Sequence, residues 1–445
     1  MADLQSSEQR TTIRNVHLAH RDTALASKLW DVDCQDGRVL SIQSSGLEQI
    51  STSGEVINGE GGVLLPSSLK EALDVTGKAK KTFPERVDNL YARADRVIQE
   101  SVEAGVTAMR AFVEVDTTVQ FACLDVGLRL KKEWENGIQS VSRILGANER
   151  AAFAQERLFE SADASNAGAN YTLLQESLTR PGVSVVGSAP WVETSEAHAL
   201  ENISRIFALA RKHNLHVDFH LDYNLDPALE PMIWRVADEM YSMGWTKANN
   251  ASKVVTLGHA TRLALLNKDE LRRLRTYMQE LPLHIVGLPP SDIYMMGRSS
   301  EGGGPSLGDR TLDAPRLWRE HQIQVALDAN NIENGFTPHG SLDPLSLISW
   351  TVGLYQAGRE DDWRMLLASV TTAAKEAVGM AELEGDNIDG LVPRKGSKAD
   401  FVILPQTARW QSAVLSPSYD RKVVFQGRLV AHRKAVRWIA KSKGL

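Results

Sequence analysis

The stretch "LHVDFHLDYN" spans residues 215–224, and its reading decides the fold. It opens as an apolar run that reads as a buried strand. It ends on polar residues, which places His220 and Asp222 where that strand stops. Working outward, seven further runs share this character: 62–66, 107–113, 139–145, 183–188, 253–259, 283–288 and 323–328. Helical patterns lie between most of them. The clearest is "SEAHALENISRIFALARKHN" (195–214), with Ser195 as N-cap and apolar positions three and four apart. Eight strands alternating with helices predict an α/β fold, a (β/α)8 TIM barrel over residues 62–385.

The two ends read differently. Residues 12–60 hold short segments with Gly and Ser turns. The tail, "GSKADFVILPQ" and "RKVVFQGRLVAH", alternates like half-exposed strands. Both ends, residues 1–61 and 386–445, are expected to form one small β-sandwich domain. The glycine-rich loop "RSSEGGGPSLGD" (298–309) lacks the Lys-Ser/Thr of a P-loop and reads equally well as a lid or a plain loop.

Composition narrows the partners. The 445 residues carry a formal net charge of -6, with both signs interspersed and no basic stripe, so nucleic acid is not an expected partner. No apolar run approaches the ~20 residues of a membrane span, and the N-terminus lacks a signal-peptide core. Cys34 and Cys123 lie far apart and form neither a zinc motif nor a disulfide framework. A cytoplasmic protein acting on a small molecule is expected, and a homo-oligomer is compatible with this.

A barrel of this kind places its chemistry at the C-terminal strand ends. Strand five delivers His220 and Asp222 there, strand six ("TLGHAT") delivers His259, and strand eight ("LDANN") delivers Asp328 and Asn330. A lone histidine is more often a satisfied core residue. Three ionisable groups at two adjacent strand ends favour function. Trp191, in "SAPWVE" after strand four, reads equally well as core packing or as a stacking surface for a flat substrate.

These segments resemble the amidohydrolase superfamily, within it the cytosine deaminase-like branch. The likeness covers nearly the whole chain and is carried by "VDFHLDYN", "VVTLGHAT", "LPPSDIYMMGR", "NNIENGFTPHG" and "GSKADFVIL". It implies a metal held by an H-x-H pair on strand one, a His on strand five and an Asp on strand eight. His220 matches the strand-five ligand and His259 the strand-six histidine beside metal and substrate. The H-x-H pair falls on Lys70 and Ala72 in "LPSSLKEALD" (65–74), and the strand-eight Asp falls on Asn330. The family's general acid/base Glu falls at or next to Asp222, best on Tyr223. Phe112 replaces a strand-two His common in the branch.

The departures therefore concentrate on the metal. Zinc needs three or four N, S or O ligands, whereas Ala72 offers none, Lys70 is cationic and Asn330 is a weak neutral donor. Asp328 shares a strand side with Asn330 and is a substitute donor only if the ion moves. The first expectation is thus a metal-independent enzyme with no cofactor. It would use His220, Asp222, His259 and Asp328 for acid/base work, with Lys70, Trp191, Tyr223 and Asn330 holding substrate. Isomerisation, dehydration, condensation or decarboxylation of a small nitrogen-containing or aromatic metabolite would suit such a site. The second is a zinc- or iron-dependent hydrolase or deaminase acting on a non-peptide C–N bond, and the third a non-catalytic relative.

Overall fold

The computed structural model describes residues 10–18, 23–35, 38–46, 55–58, 63–64, 69–136, 148–160, 167–250, 252–297, 307–380, 391–393 and 395–436. The chain divides into two compact units, Met1–Val75 and Thr76–Leu445. Among the described residues no helix is long and apolar enough to cross a membrane.

The first unit is built on a five-stranded sheet. β1 (Arg10–Leu18) pairs antiparallel with β2 (Leu29–Gln35), which pairs with β3 (Arg38–Ser44). β4 (Glu55–Asn58) and β5 (Val63–Leu64) run parallel to β1. The run at 62–66 was expected as barrel strand one. Its strand, β5, instead joins this terminal sheet. "LKEALD" then begins the helix Leu69–Lys80, so Lys70 and Ala72 stand on helical backbone rather than at a strand end. The side chains of both lie outside the described residues.

The second unit centres on a curled sheet of seven parallel strands. In sequence these are β6 (Met109–Glu114), β7 (Asn148–Ala154), β8 (Val183–Ser188), β9 (His216–Leu221), β10 (Val255–His259), β11 (Leu283–Gly287) and β12 (Val325–Leu327). They stand side by side in chain order, with β6 and β12 at the edges. This is the α/β arrangement of a TIM-like barrel. Strand three was expected at 139–145, which lies outside the described residues. β7 is the less apolar "NERAAFA", in which Glu149 and Arg150 masked the signal.

Alternation along these strands sorts the interior. On β9, Val217, Phe219 and Leu221 belong to the main hydrophobic core, as do Val255 and Leu257 on β10. That core lies between sheet and helices and includes Ile203, Ile206, Phe207 and Ala210 of the helix Glu196–His213. Ser195 Oγ accepts the His198 N–H at 3.2 Å and starts that helix as its sequence predicts. His216, Asp218 and His220 point to the opposite side, along the barrel axis. Gly258 makes room for them, since a Cβ there would lie 2.8 Å from His220 Cδ2.

β13 (Phe401–Ile403), β14 (Arg421–Phe425) and β15 (Arg428–Arg433) form a separate antiparallel sheet. It is pinned to the rest of the second unit by one carboxylate. Asp343 Oδ2 meets Arg421 Nη2 at 3.0 Å and Arg433 Nη2 at 2.9 Å, while Asp343 Oδ1 caps the helix Pro344–Leu354. Among the described residues the two ends of the chain therefore build two sheets with no strand pairing between them.

Candidate active site

Strand ends supply the site. His220 lies on β9 and its ring forms a triangle with Phe153 (centroids 4.4 Å apart) and Phe112 (4.9 Å), which themselves meet at 5.4 Å. The His259 ring, at the end of β10, stands perpendicular to it at 5.4 Å. Tyr223 packs on the far side of His259 at 4.1 Å, and Trp191 lies 6.2 Å beyond Tyr223. The result is a row of rings from Phe112 to Trp191. Phe112 is 41% exposed although it stands on the inner face of β6, so the row borders open space.

Electrostatics distinguish the two histidines. Burial holds the His220 imidazole well below its ordinary pKa, and the nearby His259 adds to the effect, so its neutral form is favoured. His259 Nδ1 lies 3.1 Å from Asp292 Oδ1. Asp292 is fully buried on the helix Pro289–Met295, where its other oxygen accepts from Leu288 N (3.2 Å) and Thr311 Oγ1 (2.9 Å). Burial raises the Asp292 pKa and the bonds to His259 and Thr311 oppose the rise. The carboxylate fixes the His259 ring and takes up Nδ1, leaving Nε2 for chemistry, the arrangement of an oriented general base.

Sequence reasoning missed Asp292 although "LPPSDIYMMGR" was singled out. The available signal was an acid in the first turn of a helix begun by Pro289 and Pro290. It also missed Glu114, two residues beyond Phe112 on the same face of β6. Glu114 Oε2 is 2.9 Å from Lys80 Nζ, which also meets Asp116 (2.8 Å) and Glu156 (3.0 Å).

The other expected residues divide. Tyr223 and Trp191 belong to the ring row, and burial with the Asp292 charge raises the Tyr223 pKa. Asp222 is turned elsewhere: its carboxylate accepts the N–H groups of Met232 (2.7 Å) and Ile233 (3.2 Å) and so caps the helix Ile233–Ser242. Burial nevertheless lifts its pKa to about 6. Asp328 stands just past β12, open to solvent as a residue, yet its carboxyl is surrounded by enough protein to raise its pKa. Its Oδ1 accepts from Ala329 N at 2.7 Å. Asn330 Nδ2 donates to Ser291 Oγ at 3.0 Å, one residue from Asp292. Asp222, His259 and Asn330 all adopt positive φ (54°, 67° and 67°). Such backbone is uncommon outside glycine and gathers at functional sites.

Beneath His220 the inner face is ionic. Arg110 Nε meets Glu149 Oε2 at 2.7 Å, and Arg110 Nη1 meets Asp218 Oδ2 at 2.8 Å and Thr256 Oγ1 at 2.9 Å. Asp218 Oδ1 and Arg110 Nη2 are buried without a hydrogen-bond partner among the described residues. That Asp218 oxygen lies 4.0 Å from His220 Nε2.

No protein-family model matches the sequence. No curated protein matches it either. Solved structures do. 5-Methylcytosine deaminase from Klebsiella pneumoniae superposes with a TM-score of 0.67 at 18% identity, over 97% of this chain and 99% of that one. N-isopropylammelide isopropylaminohydrolase from Burkholderia multivorans gives 0.61 at 19% identity, over 96% and 99%. An adenosine deaminase from Xanthomonas campestris with bound zinc gives 0.54 at 13% identity, over 96% and 94%. The chain thus has the fold of the amidohydrolases, deaminases among them.

The zinc of that last neighbour makes a metal worth testing against this donor set. Among the described residues no group of three His, Cys, Asp or Glu side chains could hold an ion. His259 Nδ1 is taken by Asp292, Asp328 Oδ1 by a backbone N–H, and Asn330 is an amide turned to Ser291. The described residues do not fit a metal centre.

Proposed function

We propose that this protein is an amidohydrolase-superfamily enzyme performing acid/base chemistry on a small, flat, nitrogen-containing molecule. The observation that supports it best is the His259–Asp292 pair standing beside His220 in a row of aromatic rings. His259, oriented by Asp292, moves the proton through Nε2. His220, kept neutral by burial, hydrogen-bonds the substrate, because two imidazolium rings 5.4 Å apart would repel in a buried site. Tyr223 and Trp191 give a stacking wall, and Asp328 and Asn330 stand across the sheet for polar groups. We assign Asp222 a structural role, since both of its oxygens serve backbone N–H groups. Isomerisation, dehydration, condensation or decarboxylation without a metal is the first reading.

A second reading, hydrolysis of a non-peptide C–N bond with zinc or iron, draws support from the fold shared with deaminases. Purified protein would be assayed for metal content, then incubated with 5-methylcytosine, N-isopropylammelide and adenosine, with product masses recorded before and after chelation. Chelator-resistant turnover supports the first reading. Stoichiometric metal, with turnover lost on its removal, replaces it with the second. His259→Gln should lower turnover by ~10²–10⁴-fold in the first case; an unchanged rate removes the pair from the chemistry. We retain, also as proposals, a joint β domain of residues 1–61 and 386–445, a cytoplasmic setting and a small-molecule partner, with a homo-oligomer compatible with these.

A further inference from the structure

We propose that Glu114, held in place by Lys80, is a substrate-contacting carboxylate that selects a cationic, N–H-bearing ring such as an amidinium. The proposal rests on the reading of the His220–His259 cleft as the reaction centre and names the substrate class that cleft would take.

Placement comes first. Phe112 and Glu114 lie two residues apart on β6 and so share a face, and the Phe112 ring touches His220. In register on the neighbouring strand, Glu114 stands beside Phe153, whose ring also touches His220. Glu114 therefore rises from the wall that holds His220, one step nearer the strand ends.

Charge comes second. One ammonium, Lys80, is shared by three carboxylates. Asp116 is occupied structurally, its Oδ1 accepting from Thr118 N (2.7 Å) and Val119 N (2.9 Å). Lys80 is 6% exposed and so fixed, whereas the Glu114 side chain is 30% exposed. The cluster thus anchors Glu114 while leaving surplus negative charge on the open side. Burial raises the Glu114 pKa against the pull of Lys80, as expected of a partly desolvated carboxylate that shares its cation with two others.

Two independent features point to an occupant. The Phe112 ring, 41% exposed on an inner face, offers an uncovered apolar surface. Deeper in the same interior, Asp218 Oδ1 is an acceptor with no donor among the described residues, on a side chain 2% exposed, 4.0 Å from His220 Nε2. An unpaired buried acceptor costs ~1–3 kcal/mol, which a donor restores. A flat cation with several N–H groups would cover Phe112, donate toward Asp218 and give Glu114 a charged partner. A neutral or anionic ring would leave the Glu114 charge to Lys80 alone, which also serves Asp116 and Glu156.

The test uses three isosteric probes, benzamidinium, benzamide and benzoate, with binding to the full-length protein measured by calorimetry. Benzamidinium should bind wild type most tightly. Glu114→Gln should weaken it by ~10–100-fold, the range for a hydrogen bond to a charged group. Glu114→Asp, which keeps the charge, should recover part of the loss. Thermal melts of both variants should stay cooperative, which separates lost binding from lost structure. Equal affinity in Glu114→Gln, no benzamidinium binding to wild type, or preference for benzoate would each overturn the proposal. His259→Gln separates it from the reading beneath it. That variant should keep benzamidinium affinity while losing turnover; retained turnover removes the catalytic assignment and leaves the charge selection standing.

Discussion

The interior of the barrel has two regions built on the same strands, and they solve opposite problems. Low in the sheet, Arg110, Glu149, Asp218 and Thr256 bond one another within 3 Å, and Arg110 and Asp218 are almost wholly buried. Higher up, Phe112, His220, His259 and Tyr223 meet ring to ring, and Glu114, on the same face of β6 as Phe112, reaches open space. On β9 the change takes one alternation, from Asp218 to His220. A buried charge must be paired, because desolvation outweighs any weaker contact. Aromatic rings carry no such demand and can stand uncovered at a mouth. Apart from the unpartnered Asp218 oxygen 4.0 Å from His220 Nε2, the lower region therefore reads as structure and the upper as chemistry.

The largest expected effect would break this division if it failed. Arg110→Met strands Glu149 and Asp218 as buried, unpaired carboxylates, and should cost ~3–5 kcal/mol in urea unfolding. A loss below about 1 kcal/mol would mean that the lower network is not what holds the sheet.

Acid should attack the lower region next. Burial holds both His216 and His284 down at a pKa of about 3, with Arg110 and Lys253 or Lys247 adding to the effect. Their folded pKa lies below the unfolded value of about 6.5. The unfolded state therefore binds more protons as pH falls, and stability present at neutral pH is lost progressively from about 6.5 toward 3. Melting curves should show a fall of ~2 kcal/mol or more across that window. A flat profile between pH 6.5 and 4 would contradict the burial of these rings.

Asp222→Ala sharpens the boundary between the two roles. It removes a cap that serves two backbone N–H groups and should cost ~1–2 kcal/mol of stability. Asp222→Asn, which keeps an acceptor, should retain turnover within about tenfold. A catalytic loss matching that of His259→Gln would return Asp222 to the chemistry. The smallest effect belongs to Phe112→Leu, which should change stability by no more than ~0.5 kcal/mol because the ring is already half uncovered. A loss above about 2 kcal/mol would place Phe112 in the core and close the mouth.

The sequence by itself determined β8 to β12, the helix capped by Ser195, and the positions of His220 and His259. These rest on local signals: an apolar run, a cap, and a polar residue where the run stops. Such signals survive in any window of ten residues. Strand three was illegible because "NERAAFA" carries two buried charges, Glu149 turned inward to Arg110 and Arg150 turned outward to the Gly127 carbonyl of a helix. Strand one misled for the converse reason: "GVLLP" is apolar enough for a barrel strand, but which sheet accepts it is settled by pairing with β1, some forty residues earlier.

Only the tertiary structure decided which side chains meet. Asp292 reaches His259 across 33 residues, Lys80 reaches Glu156 across 76, and Arg110 reaches Asp218 across 108. Asp222 was expected to share the acid/base work of His220 from the same strand end. Positive φ at Asp222 turns the chain there, so the expected alternation ends and its carboxylate goes to a helix instead. Periodicity fixes the face a residue takes only while the strand lasts. Past its end, the loop's dihedrals and the nearest unpaired donor choose the partner, and neither is written in the local pattern.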